Sequence, residues 1–393
     1  MARQREPEIV ESDLKGFKYF KMLLPMLERL RPLGTARDKS GNRELFFDQY
    51  ASLVLFYFFN PIVKSMRALQ QSTKLEKVRR LLGVRQTSLG SFSEATEVFA
   101  AEHVRKILQE VAAQALPLYD GKEAEALKNL CAVDGTLLNA LPKMAWALWI
   151  DDEHRAAKMH LHFDVLKGVP IDATLTAATG SETDQLRVML NQGRLYVIDR
   201  GYAKYELYRD IIAAGSSFIG RVRDNTAFTV KEERLLTPEA VSTGVVRDVV
   251  VARLGTTKRK EVLDCPVRLV IVRRSKTDGT LEELWLITNR LELSAELVAL
   301  GYRYRWTIEL FFRWFKCVLG CRHLISNNAN GVAIQIYMAL IASLMLVLWT
   351  NRKPNRRTWE MIQFYLSGWA TLEEFEAHLK EKPPVKKPKI ILM

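Results

Sequence analysis

Asp134 and Asp199 each directly follow a short apolar run, in Ala132-Val133-Asp134-Gly135-Thr136 and in Val197-Ile198-Asp199-Arg200-Gly201-Tyr202. A carboxylate at the C-terminal end of a strand points into the crevice above an α/β sheet, where ligands gather. Two such carboxylates held close together repel each other unless cations lie between them. Oxygen donors with no accompanying His or Cys cluster select Mg2+, with Mn2+ as a substitute, over zinc. Taken singly, each Asp is also what a strand-end turn uses, particularly before Gly.

The stretch Tyr302 to Lys316 adds a third carboxylate. Read as one continuous helix, it sets Tyr302, Arg305, Glu309 and Lys316 on one face. A phenol, a guanidinium, a carboxylate and an ammonium make a poor buried stripe but a serviceable wall for phosphate and metal. Glu309 suits a cation, Arg305 and Lys316 suit phosphate oxygens, and Tyr302 can orient a phosphate or a water. A solvated face with charge pairs explains any one of these pairs, but Trp306, Phe312, Trp314 and Phe315 need burial elsewhere on the same helix.

Several elements must hold these residues. Asn129 to Val133, Lys158 to Leu166 and Ile171 to Ala177, the last two joined at Gly168-Val169-Pro170, read as a three-strand meander. A helix over Asp184 to Leu190, a strand over Leu195 to Ile198, a helix over Tyr205 to Ala214 and a strand over Ser217 to Val222 follow. Strands followed by alternating helix and strand predict a mixed α/β sheet. Ala227 to Val230, Gly244 to Leu254, Pro266 to Arg273 and Leu281 to Thr288 are β-branched runs that read as a separate β-rich insertion. Helices resume at Ser294.

Ahead of the sheet, residues 1–125 read as almost wholly helical, with Leu45 to Phe59 and Ala101 to Leu116 as long apolar or amphipathic stretches. Lys74 to Leu82 is a basic helix ending at Gly83, and Ser91 with Glu94 forms a capping box that opens the next helix. That plan, with Lys74, Lys77, Arg79, Arg80 and Arg85, fits a helix-turn-helix reader of DNA. It fits an ordinary helical hairpin with a solvated basic face equally well.

The chain has 393 residues, 48% hydrophobic content and a formal charge of +13, which allows two or three packed units and favours a polyanionic partner such as nucleic acid. Cys131, Cys265, Cys317 and Cys321 show no framework spacing and read as thiols in a reducing cytosol. The spacing of Cys317 and Cys321 to His323, with no fourth ligand, argues against zinc. The polar start, Met1 to Glu11, is no signal peptide. Ala51 to Val63 is interrupted and short, and Val332 to Trp349 reads as a buried core helix, so no membrane partner is expected. His160 and His162 read as strand residues packed in a sheet, and Asp151, Asp152 and Glu153 as a solvated turn. Asp164 and Asp172 read as strand-face or turn residues. The Pro and Lys stretch Lys380 to Lys389 reads as a disordered tail.

Tyr302-x2-Arg305-x3-Glu309-x6-Lys316 matches in every position and spacing the signature of the insertion-sequence-4 family of DDE transposases, which this chain resembles over roughly Leu130 to Trp349. Asp134 and Asp199, in Val133-Asp134-Gly135-Thr136 and Asp199-Arg200-Gly201-Tyr202, resemble that family's first and second aspartate motifs. The resemblance implies a ribonuclease-H-like mixed α/β core at 126–224 and 290–352, with the β-rich domain inserted at 225–289. A helical DNA-binding domain at 1–125 and a C-terminal helical segment with a basic tail at 353–393 complete the expected order. Asp134, Asp199 and Glu309 are then expected to hold two divalent ions, and Tyr302, Arg305, Lys316 and Arg200 to grip phosphate. Trp285 looks like the family's base-stacking tryptophan by position, and equally like a core strand residue. The implied activity is cleavage at the ends of a mobile element and joining to target DNA, by a homodimer on double-stranded DNA in the bacterial cytoplasm and nucleoid. A stand-alone nuclease of the same core, or a non-catalytic DNA-binding derivative, are the alternatives. Retention of all three carboxylates favours catalysis.

Overall fold

The computed structural model describes residues 20–35, 41–139, 144–147, 155–256, 261–276, 278–321, 324–350, 352–353 and 355–381. The acidic group Asp151, Asp152 and Glu153, His323, the first residues of the chain and the tail from 382 onward lie outside them. The chain divides into two compact units.

One unit, whose described residues are helical but for short segments, comprises Met1–Gln114, Leu138–Ala156 and Arg313–Pro383. Its axis is the helix Ala329–Thr350, which packs on Ala101–Ala113, Phe47–Phe59 and Leu89–Val98. Residues Ala329–Leu348 are long and apolar enough to cross a membrane, but 89% of the most apolar window is buried inside the protein. That matches the expected core helix. Its polar members are satisfied, as burial requires: Gln335 Oε1 accepts the Ile325 N–H at 2.9 Å and Ser343 donates to the Leu340 carbonyl at 2.7 Å. Asn330 does the work of a missing cap. Ala100 cannot cap the helix Ala101–Ala113, so Asn330 Oδ1 accepts the Ala101 N–H while its amide donates to the carbonyls of Thr96 and Phe99.

The basic hairpin is present in the same unit as Met66–Ser72, Glu76–Leu82 and Leu89–Val98, with Gly83 in the left-handed conformation at φ 61°. Lys74, Lys77, Arg79, Arg80 and Arg85 are all exposed. The capping box expected of Ser91 and Glu94 is not the one used. Ser88, in extended backbone, accepts the Ser91 N–H at 3.0 Å, so the helix starts earlier and Ser91 lies within its first turn. Glu94 pairs instead with Arg43 at 3.5 Å.

The other unit comprises Ala115–Leu137 and Ala157–Phe312 and is built on a ten-stranded sheet. Its strands are β1 (Leu130–Asn139), β2 (Ala156–Asp164), β3 (Val169–Ala177), β4 (Leu195–Ile198), β5 (Ser217–Val222), β6 (Phe228–Glu233), β7 (Val245–Thr256), β8 (Glu261–Leu263), β9 (Val267–Ser275) and β10 (Leu281–Thr288). The order is β3-β2-β1-β4-β5-β10-β9-β7-β6, with β8 on β7. The expected meander is β1 to β3, and the expected alternation of strand and helix gives the parallel pairs β1–β4 and β4–β5. The β-rich segment departs from the expectation of a separate body: β10 pairs antiparallel with β5, so the sheet runs on without a break. A buried ion pair between Arg268 on β9 and Asp248 on β7 ties the outer strands, with Arg268 Nε 2.7 Å from Asp248 Oδ1.

The two faces of the sheet have different neighbours. Cys131, Val133, Tyr196, Ile198 and Phe218 pack with Leu207, Tyr208 and Ile211 of the helix Tyr205–Ala213. His162 lies edge-on to Tyr196 on this face, and His160 Nε2 is 2.9 Å from Thr176 Oγ1, which is the packed role expected of both histidines. Because side chains alternate along a strand, Asp134 and Asp199 fall on the opposite face. On that face Phe163 meets Phe311 at 5.0 Å and Gly301 approaches Ile219.

Candidate active site

The parallel register pairs Leu130 with Leu195 and Ala132 with Val197; continued two residues, it sets Asp134 opposite Asp199. Chain geometry alone therefore brings together two residues 65 positions apart, both on the face away from the helix Tyr205–Ala213. Asp134 lies within β1, which runs past it to Asn139, rather than at the strand's end. Asp199 directly follows β4, and caps the single helical turn Arg200–Tyr202 by accepting the Gly201 N–H at 2.6 Å. Asp134 Oδ1 accepts the Gly135 N–H at 2.8 Å.

The helix expected to run from Tyr302 to Lys316 is broken. One helix is Ala295–Arg303 and the next is Trp306–Cys317, so Tyr302 ends the first and Arg305 sits in the joint. The hydrogen bonds tighten there from four-residue to three-residue spacing: Arg305 N–H to Tyr302 O, Thr307 N–H to Tyr304 O and Ile308 N–H to Arg305 O. The Thr307 hydroxyl also donates to the Tyr304 carbonyl at 2.7 Å, competing for the acceptor a continuous helix would use. The apolar spacing carries across the joint without a change of period, which is why the sequence hides it.

Arg305 is the hinge of the site's electrostatics. Its Nη2 donates to Glu309 Oε1 at 2.6 Å and its Nη1 lies 3.9 Å from Asp134 Oδ2. Burial raises the Asp134 carboxyl to about 6, helped by the charges of Asp199 and Glu182 and opposed by the Gly135 hydrogen bond and Arg305. Burial likewise raises the Tyr302 phenol, with Arg305 and Arg221 pulling the other way. Tyr202 is buried, its hydroxyl has no hydrogen-bond partner among the described residues, and its pKa is raised by burial and by Glu182, Asp134 and Asp199.

The remaining expected residues lie as follows. Arg200 is exposed beside Asp199. Trp285 on β10 is half-buried, packs on the sheet core and meets Phe228 edge-on at 5.7 Å. Lys316 is on the helix Trp306–Cys317 but in the part assigned to the helical unit, so the grouped residues end at Glu309. The sequence reading missed Glu182, Lys158 and Arg221. Arg221 bonds Glu282 at 2.6 Å on the strand next to Asp199's, a signal available only from the sheet order.

Asp134, Asp199 and Glu309 supply only oxygen donors, a set that suits a hard divalent cation. Among the described residues, no three acidic, His or Cys side chains are grouped to hold one ion together. Glu309 is turned to Arg305 instead. The four cysteines form no disulfide.

Residues 125–345 match the family described as the transposase DDE domain, more than half of the chain, and the chain belongs to that family. Its curated relatives bear out the insertion-sequence-4 resemblance. A protein named as a transposase in Sinorhizobium fredii is 30% identical over 62% of this chain and 66% of its own length. A transposase for the insertion sequence element IS5377 of Geobacillus stearothermophilus is 28% identical over 59% of each, and one for IS4SA of Synechocystis is 22% identical over 71% and 77%. The chain thus spans less than two thirds of the length of the first two relatives. A solved piggyBac transposase synaptic complex with hairpin DNA aligns at 12% identity over 96% of this chain and 83% of its own, with a TM-score of 0.42, too low to bear on the site. Membership in the family implies use of divalent metal.

Proposed function

We propose that this chain is a DNA transposase that binds terminal inverted repeats, cleaves at the ends of an insertion sequence and joins them to target DNA. The reading rests on one observation: a parallel register that sets Asp134 opposite Asp199, with Arg305 reaching from Asp134 to Glu309. In this reading the sheet unit is a ribonuclease-H-like core with 225–289 inserted, and 1–125 is the DNA-binding domain. The working form is a homodimer on DNA, in the cytoplasm and at the nucleoid.

Asp134, Asp199 and Glu309 would hold two Mg2+, for which Mn2+ would substitute. When bound, such ions neutralise charge at the scissile phosphate and lower the pKa of the attacking hydroxyl. The chain's own groups do the rest. Asp134 and Asp199, fixed by the strands, form the floor on which the phosphate is presented. Arg305, Tyr302, Lys316 and Arg200 bind phosphate oxygens, and a phosphate that takes the Arg305 guanidinium releases Glu309 to complete the carboxylate set. Trp285 provides the stacking surface for a base turned out of the duplex end.

Glu309→Gln tests this reading. Strand cleavage of a terminal-repeat duplex with Mg2+ is expected to be abolished while gel retardation of the same duplex persists. Cleavage at the wild-type rate would remove Glu309 from the site.

A further inference from the structure

Gly135 follows the first aspartate, and the space its missing side chain leaves is filled. A Cβ built there meets Glu182 Oε1 at 2.6 Å and Lys158 Cε at 3.1 Å. Glu182 opens the helix Glu182–Val188, whose cap is Ser181, and Lys158 comes from β2. Their ion pair, at 2.8 Å, is largely shielded, with side-chain exposures of 30% and 17%. Lys158 Nζ also lies 3.5 Å from the Gly180 carbonyl, which fixes the turn ahead of that helix.

By strand alternation the pair sits behind β1, on the face opposite the Asp134 side chain. It touches the backbone of the residue that donates to Asp134 Oδ1. A carboxylate seated against Gly135 puts its negative charge one residue along the chain from Asp134. An ordinary surface ion pair has no need of a glycine beside it and does not back onto the residue that follows a half-buried carboxylate.

We infer that Glu182 is a positioning residue for the first aspartate. It presses on Gly135 to hold the Asp134 carboxylate in place and adds a negative charge that tightens divalent-cation binding at Asp134 and Asp199, while Lys158 limits that charge. This rests on Asp134 and Asp199 being the cation site.

The test is Mn2+ titration of the full chain, without DNA, followed by electron paramagnetic resonance. Removing one charge near the ion through a partly screened path shifts affinity on the order of five-fold. Glu182→Gln is expected to weaken Mn2+ binding by about that factor, Lys158→Met to strengthen it, and Glu182→Asp, which keeps the charge but shortens the reach to Lys158, to stay nearer wild type than Gln. A structural ion pair alone predicts that all three variants lower the melting temperature and leave affinity unmoved, or move it in one direction. Either result overturns the inference, and Glu182→Gln against Glu182→Asp decides it even where Lys158→Met does not fold. If the wild type binds no Mn2+, or Asp134→Asn binds as well as wild type, the failure lies in the cation site itself. If Asp134→Asn abolishes binding and the Glu182 variants leave it unchanged, only the role of Glu182 is lost.

Discussion

One of the three carboxylates stands on a strand, the second directly after one, and the third beyond a broken helix, and the two regions are built to different tolerances. Asp134 and Asp199 are placed by a ladder in which every residue between Leu130 and Ala132 has a fixed partner. A one-residue slip of either strand would turn its aspartate to the other face, into the apolar cluster. Glu309 hangs on the tightened joint at Tyr304 to Ile308, and its carboxylate is engaged by Arg305. The strand pair is therefore preformed, and the helix-borne carboxylate is held in reserve.

The sharpest way to break that comparison is at the preformed pair. Asp199→Asn is expected to cost at least on the order of 10²-fold in strand cleavage, since a lost ligand forfeits several kcal/mol of charge stabilisation. A small effect in a single-turnover cleavage assay would show that the strand pair is not the floor of the site. Arg305→Met addresses the reserved carboxylate: with the competing cation gone, Mn2+ affinity without DNA should rise on the order of five-fold while cleavage falls. Unchanged affinity would mean that Glu309 is not restrained by Arg305. Gly301 sits one residue before Tyr302, where a Cβ would meet Ile219 Cδ1 at 2.6 Å. Gly301→Val should destabilise by about 2 kcal/mol through overpacking, read as a lower melting temperature, with cleavage lost along with the placement of Tyr302.

A smaller effect sharpens the strand side. Burial, with the charge of Lys158, lowers the His160 imidazole from 6.5 to about 4. The folded state therefore binds fewer protons than the unfolded chain between these values, and stability falls as pH drops from 6.5 towards 4. The loss is about 2 kcal/mol at pH 5. Denaturant melts of His160→Gln should lack this acid limb; an identical pH profile would contradict the buried, neutral state. Smallest is Thr307→Ala at the joint, expected to cost about 1 kcal/mol for the lost hydroxyl bond to the Tyr304 carbonyl. The same melt reads it.

The sequence disclosed what local pattern controls. Alternation and turn residues mark β1 to β5, and Gln335 and Ser343, with no second apolar span to pair with, mark Ala329–Thr350 as a core helix. What needed three dimensions stayed hidden. The break at Tyr304 and Arg305 leaves the apolar period intact, so four residues read as one helix face are split between two helices and a joint. Pairing of β10 with β5 brings Trp285 opposite Val222, and no feature of either strand announces the other. Glu182 fell outside the helix expected over Asp184 to Leu190, and its meaning lies in a side chain that Gly135 does not have.

The continuous sheet makes one further demand on this chain. Were the 225–289 segment excised, β5 would lose its antiparallel neighbour and expose a row of backbone donors and acceptors between Ile219 and Val222, one strand away from Asp199. Raw edges of that kind recruit other chains. A trimmed version of the protein should therefore self-associate through β5 before it loses its fold, and any shortened relative must carry a substitute strand, a charge or a proline at that edge.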